Sequence, residues 1–147
     1  MILPKIINDY VFTELGWTAT NGIQPFFPIH DSTGIEAGWE NNPYVVYDWI
    51  KMRNDSSFHP IKTHQLIYSI RGTVTQVYET RDAIVDRLDR EDESAQVLNQ
   101  WQKDNNYTDC AFFHSIRAWQ SSRVLEPDNT KQYYVLPMII ESDLSIP

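Results

Sequence analysis

At Gly72 the apolar pattern of the chain changes period, and that change limits what the chain can fold into. Upstream, Gln65-Leu-Ile-Tyr-Ser-Ile-Arg71 sets Leu66, Tyr68 and Ile70 against Gln65, Ser69 and Arg71, with Ile67 the exception. A period of about two fits a strand. Downstream, Val74, Val77, Tyr78, Ile84, Val85 and Leu88 recur about every three to four residues, which fits a helix over 73–90. Just before lies a run over 43–52, Pro-Tyr-Val-Val-Tyr-Asp-Trp-Ile-Lys-Met, rich in β-branched and aromatic residues and bounded by Asn41-Asn42 and Asn54-Asp55. It reads as a second strand. Strand, strand and helix form the unit on which everything else must pack.

The remaining segments supply the other layers. Residues 5–15 place Ile6, Ile7, Tyr10, Val11, Phe12 and Leu15 on one helical side, with Pro4 in the first turn and Gly16 just past the end. Residues 17–42 carry Gly22, Gly34, Gly38, Pro25 and Pro28, which argue against regular structure. The same stretch holds Trp17, Ile23, Phe26, Phe27, Ile29, Ile35 and Trp39. Leaving each of these in water costs about 1.5–3 kcal/mol. A long aromatic loop of this kind either packs back over its own sheet or reaches out as an arm to a neighbour.

Residues 54–63 read as the connection between the first two strands. The charge run 86–93 reads as a solvated helix end, and 94–101 as a short helix capped by Asp92. Residues 103–109 are a polar turn. Residues 110–119 then alternate Ala111, Phe113, Ser115, Arg117 and Trp119 with Phe112, His114, Ile116 and Ala118, a third strand. Glu126-Pro-Asp-Asn-Thr130 reads as the turn of a hairpin leading into a fourth strand over 132–141. Pro137 has no N–H, which predicts a sheet edge or a bulge there. The 142–147 tail is expected to fray unless Leu144 and Ile146 are held.

This order predicts an α+β domain: a mainly antiparallel four-stranded sheet with helices packed on one face, plus the long N-terminal aromatic loop. The chain divides into a helix and loop or arm (1–42), a core (43–141) and a tail (142–147) within one domain, as 147 residues allow. The first two strands are apolar on both faces, so the second face needs a cover, from the loop or from another subunit. The groups expected at an oligomer or partner interface are Phe26, Phe27, Ile29, Trp39, Tyr44, Trp49 and Tyr134.

Composition narrows function. No apolar run approaches the roughly 18 residues of a membrane span, and Met1-Ile-Leu-Pro-Lys5 does not have the layout of a secretory signal. The single cysteine, Cys110, forms no internal disulfide, which suits a reducing compartment. A net charge of −8 argues against a generic nucleic-acid-binding surface. Such a charge serves solubility, and it also suits a surface that DNA slides past without sticking.

Motifs for phosphate cradling, dinucleotide binding, metalloprotease zinc and paired cysteines are absent. The remaining candidates for chemistry are an acid or base at Asp48, inside an apolar strand, and a meeting of His64 with His114 across the sheet. For both, an ordinary structural role is the stronger reading, so no enzyme, metal or cofactor is expected. Glu79, Asp82, Asp86 and Asp89 recur at helical spacing as one acidic face, either solvated or lining a cation site or channel.

The strand Pro-Tyr-Val-Val-Tyr, the strand Gln-Leu-Ile-Tyr-Ser-Ile-Arg and the helix Val-Tyr-Glu-Thr-Arg-Asp-Ala-Ile-Val-Asp-Arg-Leu-Asp-Arg-Glu-Asp resemble, in order and texture, the tail terminator proteins of tailed bacteriophages. The later pair of runs, 112–121 and 133–141, extends the resemblance, and phage neck and tail-completion proteins share the texture. The resemblance implies a subunit of a homo-oligomeric ring, usually a hexamer. The ring caps the tail tube, halts its growth and meets the head connector, with DNA as passing cargo. Its implied partners are further copies of the chain, tail tube and possibly sheath proteins, and connector or neck proteins, with no membrane. The implied location is the virion, assembled in the host cytoplasm. No catalytic residues come with the family. The 17–42 loop departs from its smaller members.

Overall fold

Thr73 turns the chain from strand into helix. Its hydroxyl accepts the Gln76 N–H (3.2 Å), and the Gln76 side-chain oxygen accepts the Thr73 N–H (3.0 Å). This capping box satisfies donors that the first helical turn leaves open. A β-carbon on Gly72 would stand 2.8 Å from that same Gln76 oxygen, so the residue before the cap has to be small. The change of period falls where local chemistry requires it.

The computed structural model describes residues 2–18, 25–28, 43–51, 61–89, 92–108, 110–120, 126–128 and 133–145. In chain order these form α1 (Ile2–Glu14), β1 (Phe26–Pro28), β2 (Tyr44–Lys51), β3 (Lys62–Gly72), α2 (Val74–Leu88), α3 (Asp92–Asp104), β4 (Phe112–Gln120), β5 (Glu126–Asp128) and β6 (Tyr133–Ser145). The sheet order is β1-β2-β3-β6-β4, with β5 added to β6. All pairings are antiparallel except β1 with β2. Strands β3 and β4 flank β6 and run the same way, joined through α2 and α3 in a split β-α-β arrangement. The α+β class and the mainly antiparallel sheet of four long strands are as the sequence predicts.

Strand β3 buries every second residue: His64, Leu66, Tyr68, Ile70 and Gly72. From the neighbouring strands Val45, Phe113, Ile116, Ala118, Leu136, Met138, Ile140 and Leu144 join that face. The helices cover it with Ile6, Ile7 and Tyr10 from α1, Val77, Ile84 and Leu88 from α2, and Ala95 and Leu98 from α3. Burial of each large apolar side chain contributes about 1.5–3 kcal/mol.

The structure corrects the sequence reading in four places. The register between β4 and β6 slips between Phe113 and Ser115, which makes His114 the extra residue of a bulge. The bulge reverses the alternation, so Phe113, Ile116 and Ala118 all enter the core although the first differs in phase from the others. Strand β6 does not stop at Glu141. It runs to Ser145, held between β3 and β4, with Leu144 fully buried between Lys62 and Phe113. Pro137 sits in this central strand, not at an edge. On the side of β4 and β5 the described pairings reach Met138 and resume at Val135, so Pro137 has no registered partner there among the described residues, while on the other side it stands opposite Ser69 of β3. Glu126–Asp128, expected as a turn, is the strand β5.

Part of the 17–42 stretch is also regular. Phe26–Pro28 pairs with β2, the Phe26 ring lies 5.5 Å from Trp17 and 5.7 Å from Tyr68, and these contacts are within the chain. Helix α1 ends on Gly16 at φ +66°, with Gly16 N–H bonded to Thr13 O and Trp17 N–H to Phe12 O. Helix α3 repeats this Schellman ending with Asn106 at φ 57° and Tyr107 N–H on Gln102 O.

The left-handed position sets opposite expectations for the two caps. Gly16→Ala meets no atom within 4 Å, so its cost is backbone strain alone, about 1 kcal/mol. Asn106→Gly stabilises by a few tenths of a kcal/mol, up to about 1. Thermal melts of both variants check the signs.

Candidate functional site

The helices cover one face of the sheet and leave the other, whose side chains alternate with the core. Its polar half is a hydrogen-bonded ladder across three strands. Asp143 on β6 accepts the Thr63 hydroxyl of β3 (2.6 Å) and the Ser115 hydroxyl of β4 (2.9 Å) through different oxygens. Next along β6, Glu141 accepts from the Gln65 amide (3.2 Å), and Arg117 lies opposite it in register on β4. At the end of the sheet His114 shares a hydrogen bond with Ser145 (2.7 Å), and its ring meets Phe112 edge-on at 5.0 Å. The other half mixes Ile67, Ile139, Val135 and Pro137 with Ser69 and Arg71, all half-buried, and its β2 residues Tyr44 and Val46 are closed off at 1% and 2% exposure. Two large apolar groups protrude from this face: Ile50, and Phe112 at 58% exposure.

The residues expected at an interface divide. Phe26 and Tyr44 are buried within their own chain, at 9% and 1% exposure, so neither has area left for a partner. Both are corrected on that ground. Trp49 is half-buried against the core and stacks on His64, ring centres 5.1 Å apart. Tyr134 remains exposed at the start of β6. Phe27 gives its backbone to β1 opposite Val46, while Ile29 and Trp39 lie outside the described residues.

The acidic face is one surface. Glu79, Asp82, Asp86 and Asp89 are all exposed on α2 or at its end, opposite the buried Val77, Ile84 and Leu88. Arg81 binds Asp82 (2.6 Å), and Arg87 reaches Glu14 of α1 (3.3 Å).

The groups considered for chemistry do not converge. Asp48 is exposed and accepts the Trp49 N–H (2.8 Å), so the burial that an acid–base role required is missing. His64 lies on the helix-covered face, opposite Ser142 in register, and His114 on the other, so they do not meet. Cys110 donates its thiol to Tyr107 O (2.9 Å). Among the described residues no group of three or more His, Cys, Asp or Glu side chains is placed to hold a metal ion, and no helix is long and apolar enough to cross a membrane.

Two polar clusters escaped the sequence reading. On α1, Asp9 accepts from Lys5 (2.6 Å) and from the Tyr107 hydroxyl, and Asn8 accepts from the buried Tyr68 hydroxyl. These bonds pin α1 to β3 and to the end of α3. On α3, Asn99 and Gln102 bind the backbone of β4. The Asn99 amide takes the Phe113 N–H (2.8 Å) and gives to its C=O (2.9 Å), and Gln102 does the same for Ala111 (2.9 and 2.9 Å). Only the sidedness of α3 hinted at this, since most of its other polar residues face water, Ser94 being the buried exception.

Burial, and then the hydrogen bond and charge of Asp9, push the Tyr107 phenol well above its ordinary value of 10.0. Burial, followed by the charges of Tyr47 and Asp9, does the same for Tyr68. In the unfolded chain both phenols ionise near pH 10. Their stabilisation is therefore complete below about pH 10 and is lost as pH rises from there towards the raised folded values. Denaturant unfolding between pH 8 and 11.5 is expected to show this alkaline loss. Tyr107→Phe is expected to be about 1 kcal/mol less stable at pH 8 and to lose less above pH 10.

Compared with protein-family models, with curated proteins and with solved structures, the chain matches none.

Proposed function

We propose that this chain is a structural subunit of a ring at the tail–head junction of a tailed bacteriophage, the tail terminator or a neck subunit of related fold. The observation that carries the reading is the one-sided sheet. Helices cover one face, and the second, closed over Tyr44 and Val46, presents Ile50 and Phe112 protruding beside a polar ladder. Such a surface suits repeated contact with copies of the same chain or with the end of a tail tube. Head-to-tail contacts between copies close into a ring, of about six members here, or else grow without limit.

The mechanism is geometric. One side of the ring copies the contacts of the tube, and the other offers nothing on which a further tube layer can add, so growth stops. Head-connector or neck proteins seat on that second side. The face of Glu79, Asp82, Asp86 and Asp89 lines the channel, where carboxylates repel the phosphate backbone and let DNA pass without binding. The resemblance in element order and the acidic balance support this role, and bond chemistry has no part in it.

Mass measurement and electron microscopy of the protein, alone and mixed with tails, test the reading. The expected result is a closed ring of about six copies, alone or on tube ends. A strictly monomeric protein that leaves tubes uncapped overturns it. The channel assignment has its own test. Replacing Glu79, Asp82 and Asp86 by Lys is expected to create DNA binding that weakens steeply with salt and that the unaltered protein does not show.

A further inference from the structure

The pairing of α3 with the outer edge of β4 copies a strand. In an antiparallel ladder every second residue exchanges both its N–H and its C=O with one residue of the neighbouring strand. Ala111 and Phe113 are two such residues, and each exchanges both groups with a single side-chain amide, Gln102 and Asn99 respectively. The spacing is matched by side-chain length. Three residues of helix rise about 4.5 Å, whereas two residues of strand advance about 6.7 Å. The additional methylene of Gln102 over Asn99 spans part of the difference. Without these amides, four backbone groups in a nearly closed place would have no partner, because Ala111 and Phe113 are only 4% and 1% exposed.

We propose that Asn99 and Gln102 are a built-in block against strand addition, and that the occupant they exclude is β4 of a second copy. Phe112 selects that occupant. It lies between the two blocked residues and is the most exposed large apolar side chain among the described residues. In an antiparallel β4–β4 pair centred on Phe112, Ala111 of each copy faces Phe113 of the other, which places both exchanging residues in register. The two Phe112 rings then meet on the open face, where directly opposed aromatic residues attract. The bulge at His114 ends the flat stretch, and past it Ile116 and Ala118 are buried at 1%. The two amides thus cover the flat segment of the edge ahead of the bulge. This block does not depend on the ring reading, since it concerns a contact that the folded chain prevents.

The test begins with Asn99→Leu/Gln102→Leu, which keeps side-chain size and removes the amide bonds. In the unaltered protein the Ala111 and Phe113 amides are expected to resist hydrogen exchange. In the double variant they exchange at least about tenfold faster. With the helical circular dichroism retained, the variant is expected to form a concentration-dependent dimer absent from the unaltered protein. Adding Ala111→Pro, which deletes an edge N–H that the double variant no longer uses, or Phe112→Lys is expected to abolish that species.

Faster exchange without the new species overturns the proposal, and so does a species indifferent to both Ala111→Pro and Phe112→Lys. If the double variant does not fold, Asn99→Asp serves instead. It keeps the acceptor for the Phe113 N–H and loses the donor to the Phe113 C=O, so a weaker form of the same association is expected. Its absence in a folded Asn99→Asp protein also overturns the proposal.

Discussion

The structure depends on β6 being paired along both edges. To one side it meets β3 from Lys62↔Leu144 to Gly72↔Tyr134, and to the other it meets β4 and then β5. This last strand of the chain closes the sheet between elements distant in sequence, and its core residues Leu136, Met138, Ile140 and Leu144 form the floor on which α2 lies. Every long-range feature depends on that closure, including the split β-α-β path, the bulge in β4 and the ladder around Asp143. Pro137 lies opposite Ser69 of β3 and, among the described residues, between the stretches of β6 that pair with β4 and with β5.

Local signals in the sequence were legible where local chemistry decides. The change of period at Gly72, the strand β3 and the end of α1 at Gly16 follow from residue type and spacing, and they stand where the pattern put them. Pairing partners were not legible. Pro137 signals an edge or a bulge, whereas the strand that carries it is paired on both sides. The alternation of β4 was read in one phase because a bulge adds a residue with no composition of its own. Ser142–Ser145 looked like a loose tail because its stability comes wholly from neighbours on both sides.

The candidate surface was less legible than the fold, for a related reason. Large aromatic residues signal burial, and the sequence does not say in whose core. Phe26 and Tyr44 stay inside their own chain, while the more exposed Phe112, flanked by residues that enter the core, gave no such signal. The open face also proved less greasy than β2 and β3 alone suggested. Glu141, Asp143, Ser115 and Arg117 come from β4 and β6, which supply polar positions where β2 supplies apolar ones. The acidic face of α2 is the exception: a helix shows its solvent side in its own spacing, and Glu79, Asp82, Asp86 and Asp89 needed no partner to be placed.

A chain proposed to work by repeated contact faces a difficulty that the amides of α3 would address. Surfaces that promote association are tolerable only if the other sticky parts of the molecule are closed, since a second adhesive site turns a closed assembly into an open one. A sheet edge is such a site, and its backbone groups attract any strand regardless of sequence. Apolar cover alone would leave the Ala111 and Phe113 backbone groups unsatisfied, at about 1–3 kcal/mol each. Charge on the edge would not serve either, because this end of β4 turns into the core through Phe113. An amide is the one kind of neutral side chain that both gives and takes a hydrogen bond as a peptide group does. Two of them, set three residues apart on a helix that already packs there, close the edge without adding a strand.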